Sequence, residues 1–171
     1  VRVGAPLKTV LEGALKEEEP RVINGNALAG DVIGLDSSVH FYESSINIIK
    51  ESRERFFMGW VMPGLNRYSD SRLFLSKWFT PNRDWDLNSN QNGSLRSLVL
   101  TGWYDKMMPM NIMTDYLIRA ALAHDTDESV KLGILETDPE DFALCSFICP
   151  SKVDLGAIIQ QGLDDVEADG I

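Results

Sequence analysis

Between Asp154 and Gly170, the residues Leu155, Ile158, Ile159, Gly162 and Val166 recur at offsets of 3, 4, 7 and 11. A strand, whose faces alternate every second residue, would scatter this set. A helix of 3.6 residues per turn gathers it into one stripe that must be covered. Asp154 suits the N-cap and Gly170 the left-handed C-terminus. The preceding residues supply the cover. Pro109 fits the first turn of a helix with Met113, Tyr116, Leu117, Ala120 and Ala121 on one face. Asp127 reads as the N-cap of a short helix in "DESVKLGIL". Thr137 and Glu140 have the spacing of a capping box, with Asp138 in the first turn of a helix that Pro150 closes. Four short helices with tight connections imply an antiparallel bundle over 105–171.

The first third carries a different signal. "LKTVLEGALKEE" places Leu7, Val10, Leu11 and Ala14 at helical spacing, which predicts one short amphipathic helix. "RVINGNALAGD" predicts a short strand that ends at Asn24 and Gly25, a pair that tolerates the positive φ of a tight turn. "VHFYESSINIIKESRERFFMGWVMPG" predicts two strands separated by a polar break, ending at the Pro63–Gly64 turn. Residues 1–64 are therefore expected to form a small strand-rich module. Residues 65–104 read as an irregular connecting region, whose Tyr68, Phe74, Trp78, Phe79 and Trp85 pin it onto its neighbours; "DLNSNQNGS" is its exposed loop. The fold class expected is α+β.

At 171 residues the chain fits one domain or two small ones. Its apolar runs are all broken well short of the ~18 residues a membrane span requires. No basic stretch followed by an apolar one opens the sequence, so no signal peptide is expected, and the start at Val1 reads as the interior of a longer polypeptide. The net charge of −10 argues against a nucleic-acid partner and against attachment to a membrane through basic residues. It points instead to a neighbour with basic residues facing it. Two cysteines cannot staple a fold of this size, which favours a cytoplasmic setting.

Those cysteines raise the chemical question. Cys145, Cys149 and Pro150 have the C-x3-C-P form that ends a ferredoxin cluster motif. They share a helix face with Phe142. A four-iron cluster needs four thiolates, and a zinc site needs two further ligands. His40 and His124, the two histidines of the chain, stand at no ligand spacing from them. Burial as small hydrophobes is the favoured reading, with metal binding as the alternative.

Other constellations are weaker. "GNALAG", Gly25 to Gly30, has the glycine frame of a phosphate loop, but Asp31 and Val32 stand where lysine and Ser or Thr belong. "TDPED" and "DDVEAD" read as a helix start and a solvated last turn rather than as paired acid and base. Trp60, Trp78, Trp85 and Trp103 are read as packing before they are read as a cofactor box. No nucleophile, base and orienting group stand at recognisable spacing. The residues name no catalytic, cofactor-binding or metal site.

"VRVGAPLKTVL" followed by "RVINGNALAGD" resembles the soluble-ligand-binding β-grasp (SLBB) module of electron-transport flavoprotein subunits. "ESRERFFMGWVMPGLNRYS" and "DPEDFALCSFICPSKVDLGAIIQQGLDDVEADG" resemble the carboxyl-terminal part of the A subunit of the bacterial sodium-translocating NADH:quinone reductases. The resemblance implies a peripheral subunit on the cytoplasmic face of the inner membrane, in a complex that oxidises NADH, reduces ubiquinone and exports sodium. Its partners would be the other subunits, with ubiquinone as a further ligand. It implies no cofactor in this stretch: FMN, FAD, riboflavin and the iron–sulfur centre lie on other subunits. The family is similar in architecture to the NADH-binding flavoprotein subunit of respiratory complex I, whose helical bundle holds a cluster through a fuller cysteine set; only the C-x3-C-P remnant stands here. No active-site residue of the family falls on a matched position. Two functions follow as expectations: a structural and docking portion with no catalytic site, or a small-ligand or quinone binding module in the β-grasp part.

Overall fold

The computed structural model describes residues 4–13, 15, 20–54, 56–69, 72–85 and 87–170. The chain divides into two compact units, 1–92 and 93–171. Together they contain a three-stranded antiparallel sheet and seven α-helices among the described residues, an α+β composition.

In the first unit, β1 (Pro20–Asn24) is the central strand, flanked by β2 (Asp31–Ile33) and β3 (Ile46–Lys50). Val22 stands opposite Ile33 on one side and Ile48 on the other, so three β-branched residues line up across the sheet. Helix α1 (Leu7–Val10) closes this row by burying Leu7, with Leu11 and Val22 completing a small core. Its start is fixed by the Leu7 and Lys8 amides, which donate to the carbonyls of Ser37 (2.8 Å) and Leu35 (2.9 Å).

The helix expected over Leu7–Ala14 is shorter than the periodicity suggests. Its last cap is Leu11, and Gly13 at φ +79° cannot continue it; Ala14 lies outside the described residues. The two strands expected between Val39 and Met62 reduce to one. Only Ile46–Lys50 of this stretch, rich in β-branched residues, pairs with β1, while Phe41–Tyr42 and Phe57–Val61 form turns. Met58 at φ +48° explains the second failure: a left-handed residue interrupts any extended run through "FFMGWVM".

The outer edge of β3 is tied to the loop at Asn88–Asn90. The Arg21 guanidinium donates to Glu51 (2.6 Å), Ser89 Oγ donates to the same carboxylate (2.7 Å), and the Ser89 amide donates to the Lys50 carbonyl (3.1 Å). The Arg21 and Ser89 hydrogen bonds hold the Glu51 carboxyl below the usual range.

The second unit is helical: α3 (Tyr104–Met107), α4 (Thr114–Leu122), α5 (Thr126–Lys131), α6 (Ala143–Ile148) and α7 (Leu155–Asp169), with 3-10 turns at Ile134–Glu136 and Pro139–Phe142. Helix α7 is the axis of its core. Leu155, Ile158, Ile159, Gly162 and Val166 are all buried, Asp154 accepts from the Ala157 amide (3.2 Å), and Gly170 ends the helix at φ +75°. Each of these positions agrees with the sequence expectation.

The other caps are displaced. Helix α4 begins at Thr114 rather than near Pro109; Leu117, Ala120 and Ala121 of the expected face are buried, Ile118 joins them, and Met113 and Tyr116 are exposed. The N-cap of α5 is Asp125, whose carboxylate accepts from the Glu128 amide (3.0 Å), and Asp127 sits inside the first turn. The capping box belongs to Asp138 and Asp141, one register beyond Thr137 and Glu140. Pro139 decides between the two frames, because it lacks an N–H and fits the first helical position. Thr137 instead donates its hydroxyl to the Ile134 carbonyl (2.8 Å).

Candidate functional site

The cysteines lie where the C-terminal end of α6 meets α3. Both are fully buried within the core that contains Tyr104, Phe142, Leu155 and Ile159. The Tyr104 hydroxyl and the Cys149 sulfur are 3.0 Å apart, and the Cys145 thiol donates weakly to the Tyr104 carbonyl at 3.7 Å. One residue of α3 therefore satisfies both sulfurs, from 41 and 45 positions away in sequence.

Burial governs the electrostatics of this cluster. It pushes the Cys145 thiol up to about 11, with the carboxylates of Asp105 and Asp115 adding to the shift. It also raises the Tyr104 phenol, helped by the bond to Cys149. Asp115 is itself raised, first by burial, while the Gly102 amide donating at 3.3 Å works in the opposite direction. A metal ligand or a nucleophile must be a thiolate. Surroundings that disfavour negative charge at Cys145 hold it as a neutral, packed thiol. Among the described residues, no group of three or more His, Cys, Asp or Glu side chains is placed to hold a metal ion.

Two expectations follow from this geometry. In the folded protein near pH 8, neither thiol should react with an alkylating reagent over minutes, and both should react once denaturant is added; mass spectrometry reads the difference. Asp115→Asn should stabilise the fold at neutral pH. A carboxyl raised on folding favours the folded state fully below its unfolded value of about 3.9, and that contribution is lost as pH rises through the raised folded value. Thermal unfolding should therefore place the variant above wild type near pH 7.5 and level with it near pH 4. A variant less stable at both would show that the Gly102 contact outweighs the burial cost.

The remaining candidates are occupied by structural tasks. His124, at φ +55°, terminates α4, and its Nδ1 lies 2.7 Å from Asp165 of α7 in a partly exposed pair. His40 is exposed in the first unit and donates its amide to Asn24 Oδ1 (3.4 Å). "GNALAG" is a connection between β1 and β2. The Gly25 amide donates to the Ser45 carbonyl (2.9 Å), the Gly30 amide donates to Asn26 (2.7 Å), and a side chain at Gly30 would collide with the Asn24 and Asn26 carbonyls. Asp138 and Asp141 cap their own turn, and Asp164 accepts from Gln160 (2.8 Å). Trp85 packs edge-on against Tyr68, with ring centres 6.2 Å apart, whereas Trp60 and Trp78 are exposed. The cavity between Tyr68, Ser76, Thr80 and Trp85 has a volume of about 20 Å³, room for a water and not for an organic ligand.

The sequence identified the thiols but not Tyr104 or Asp115, the residues that set their environment. No spacing rule links an isolated tyrosine to a cysteine pair more than forty residues away.

No family model matches the chain. It is similar to the A subunit of the Na(+)-translocating NADH-quinone reductase of Rhodopirellula baltica, with 37% identity over 99% of this chain and 37% of the relative. It is similar to the protein of the same name from Hahella chejuensis, with 38% identity over 99% of this chain and 38% of the relative. The Photorhabdus laumondii protein of that name gives 36% identity over 98% of this chain and 38% of the relative. The chain spans just over a third of the length of these relatives.

Proposed function

We propose that this chain, which belongs to the family of A subunits of the Na(+)-translocating NADH-quinone reductases, supplies a structural and docking portion of such a subunit. It corresponds to the subunit's carboxyl-terminal part and carries no catalytic site of its own. The surrounding complex oxidises NADH, reduces ubiquinone and exports sodium, with its flavins and iron–sulfur centre on other subunits. The chain is peripheral, on the cytoplasmic face of the inner membrane.

The observation that carries this reading is the likeness over 98–99% of the chain to relatives that all bear that name. The closed environment of Cys145 and Cys149 supports it, since the C-x3-C-P remnant is engaged by Tyr104. No helix among the described residues is long and apolar enough to cross a membrane, which fits a peripheral place. The antiparallel sheet of the first unit is compatible with an SLBB β-grasp module in residues 1–64, followed by a connection over 65–104 and a helical bundle over 105–171.

The test is to express the chain with the genes of a relative's complex, deleting the corresponding part of the relative's own A subunit, and to isolate the assembly. Docking predicts that the chain restores assembly while showing no flavin absorbance and no NADH oxidation when purified alone. NADH oxidation by the isolated chain would overturn the reading. Titration of its tryptophan fluorescence with a ubiquinone analogue separates the small-ligand alternative, for which saturable quenching is required.

A further inference from the structure

Residues 56–79 invert the usual order of inside and outside. The short helix α2 (Ser76–Phe79) buries Ser76 and exposes Trp78 at 65% and Phe79 at 71%. The turn before it buries Gly59 and exposes Phe57 at 86% and Trp60 at 72%. These exposed rings are held in a constructed lobe. The Arg67 guanidinium lies over the Phe56 ring at 4.1 Å and the Phe74 ring at 5.8 Å, and donates to the Gly59 carbonyl at 3.0 Å. The Leu75 amide donates to the Pro63 carbonyl (2.9 Å), and the buried Ser76 hydroxyl donates to the Arg67 carbonyl. The polar groups form the internal frame and the aromatics face outward.

The charge of this stretch also departs from the rest. Residues 56–79 carry three Lys or Arg and one Asp or Glu, in a chain whose net charge is −10. Arg72 is exposed and lies over Trp78 at 6.0 Å, and Lys77, next to Trp78 in the chain, is half-buried. Large exposed aromatics with arginine between them have the composition of an interface hot spot.

We infer that the lobe at residues 56–79 is the docking face of this chain, and that its occupant is an acidic protein surface with apolar residues at its centre. The inference rests on the docking role proposed above and gives that role a location and a charge. The acidic average of the chain suggested a basic neighbour; the face on which the apolar surface stands requires the opposite. A lipid bilayer offers negative charge too, but residues 57–61 form turns rather than the amphipathic helix that lies in a membrane interface. A second copy packed by two-fold symmetry would set the cationic faces against each other.

The test uses the assembled complex containing the chain, comparing wild type with Trp60→Ser/Trp78→Ser and with Arg72→Glu/Lys77→Glu, with circular dichroism confirming that each variant folds. Both variants should be retained about tenfold less or worse, and wild-type retention should weaken as salt is raised. Full retention of both folded variants overturns the face while leaving the docking role standing. Loss of the wild-type chain from the complex overturns the docking role and the face with it. Salt-insensitive wild-type retention overturns the acidic partner, and should a variant fail to fold, that titration still decides. Sedimentation of wild type with phosphatidylglycerol vesicles but not phosphatidylcholine vesicles, abolished by either variant, would assign the lobe to the membrane and overturn the proposal, as would a dimer that either variant dissolves.

Discussion

Phe142→Ala is expected to destabilise the helical unit by about 3–5 kcal/mol, the range for removing a fully buried aromatic side chain. Phe142 has no exposed surface, belongs to the same core cluster as both cysteines, and joins the capped turn Pro139–Phe142 to α6. Its loss leaves a cavity that rigid neighbours cannot fill, because α7 packs directly against that turn. Denaturant titration followed by the helical circular dichroism signal measures the change. Phe142→Leu, which refills most of the volume, should cost much less. Equal losses for the two substitutions would show that the ring is not held as described.

Gly162→Leu is also expected to destabilise the helical unit, for the opposite reason. A Cβ at Gly162 would lie 2.7 Å from Ile134 Cδ1 and 2.9 Å from Ala121 Cβ, inside contact distance on two elements at once. Overpacking of this kind costs about 1–3 kcal/mol and sometimes more, and the gain of roughly 1 kcal/mol from replacing a helical glycine does not offset it. Ile134 is the adjustable neighbour, since only the end of its side chain is in the way. Combining Gly162→Leu with Ile134→Val should therefore destabilise less than the sum of the two changes. Additive losses would place the strain elsewhere, at Ala121 or in the backbone of α4.

Gly162 also shows what the sequence could reveal. Its place in the 3, 4, 7, 11 series put it on the buried stripe of α7, and that stripe is present with both of its caps. Elements whose stability is local, carried by a cap and a single apolar face, were legible. Register was less so. Thr137–Glu140 and Asp138–Asp141 are overlapping boxes in one short string, and only the placement of Pro139 selects the second. In α4 the helix starts at Thr114, five residues after Pro109, and the buried face takes in Ile118 in place of Tyr116.

Contacts distant in sequence were beyond reach. The strand signal at Phe56–Met62 came from apolar content, but a strand exists only where a neighbour offers hydrogen bonds, and β1 already has both edges occupied. The same residues became an outward-facing lobe, held by Arg67 and Ser76 in contacts that no periodicity encodes. At the cysteines, helical spacing correctly set Cys145 and Phe142 on one buried face, yet Tyr104 and Asp115 come from other helices.

Cys145 and Cys149 are buried packing elements, both engaged by Tyr104. Elemental analysis of the chain, expressed with iron and zinc supplied and purified without oxygen, addresses this most directly. The account predicts neither metal above trace and both thiols titrating as free once the protein is unfolded. One equivalent of iron or zinc per chain, lost in Cys145→Ser or Cys149→Ser, would contradict it.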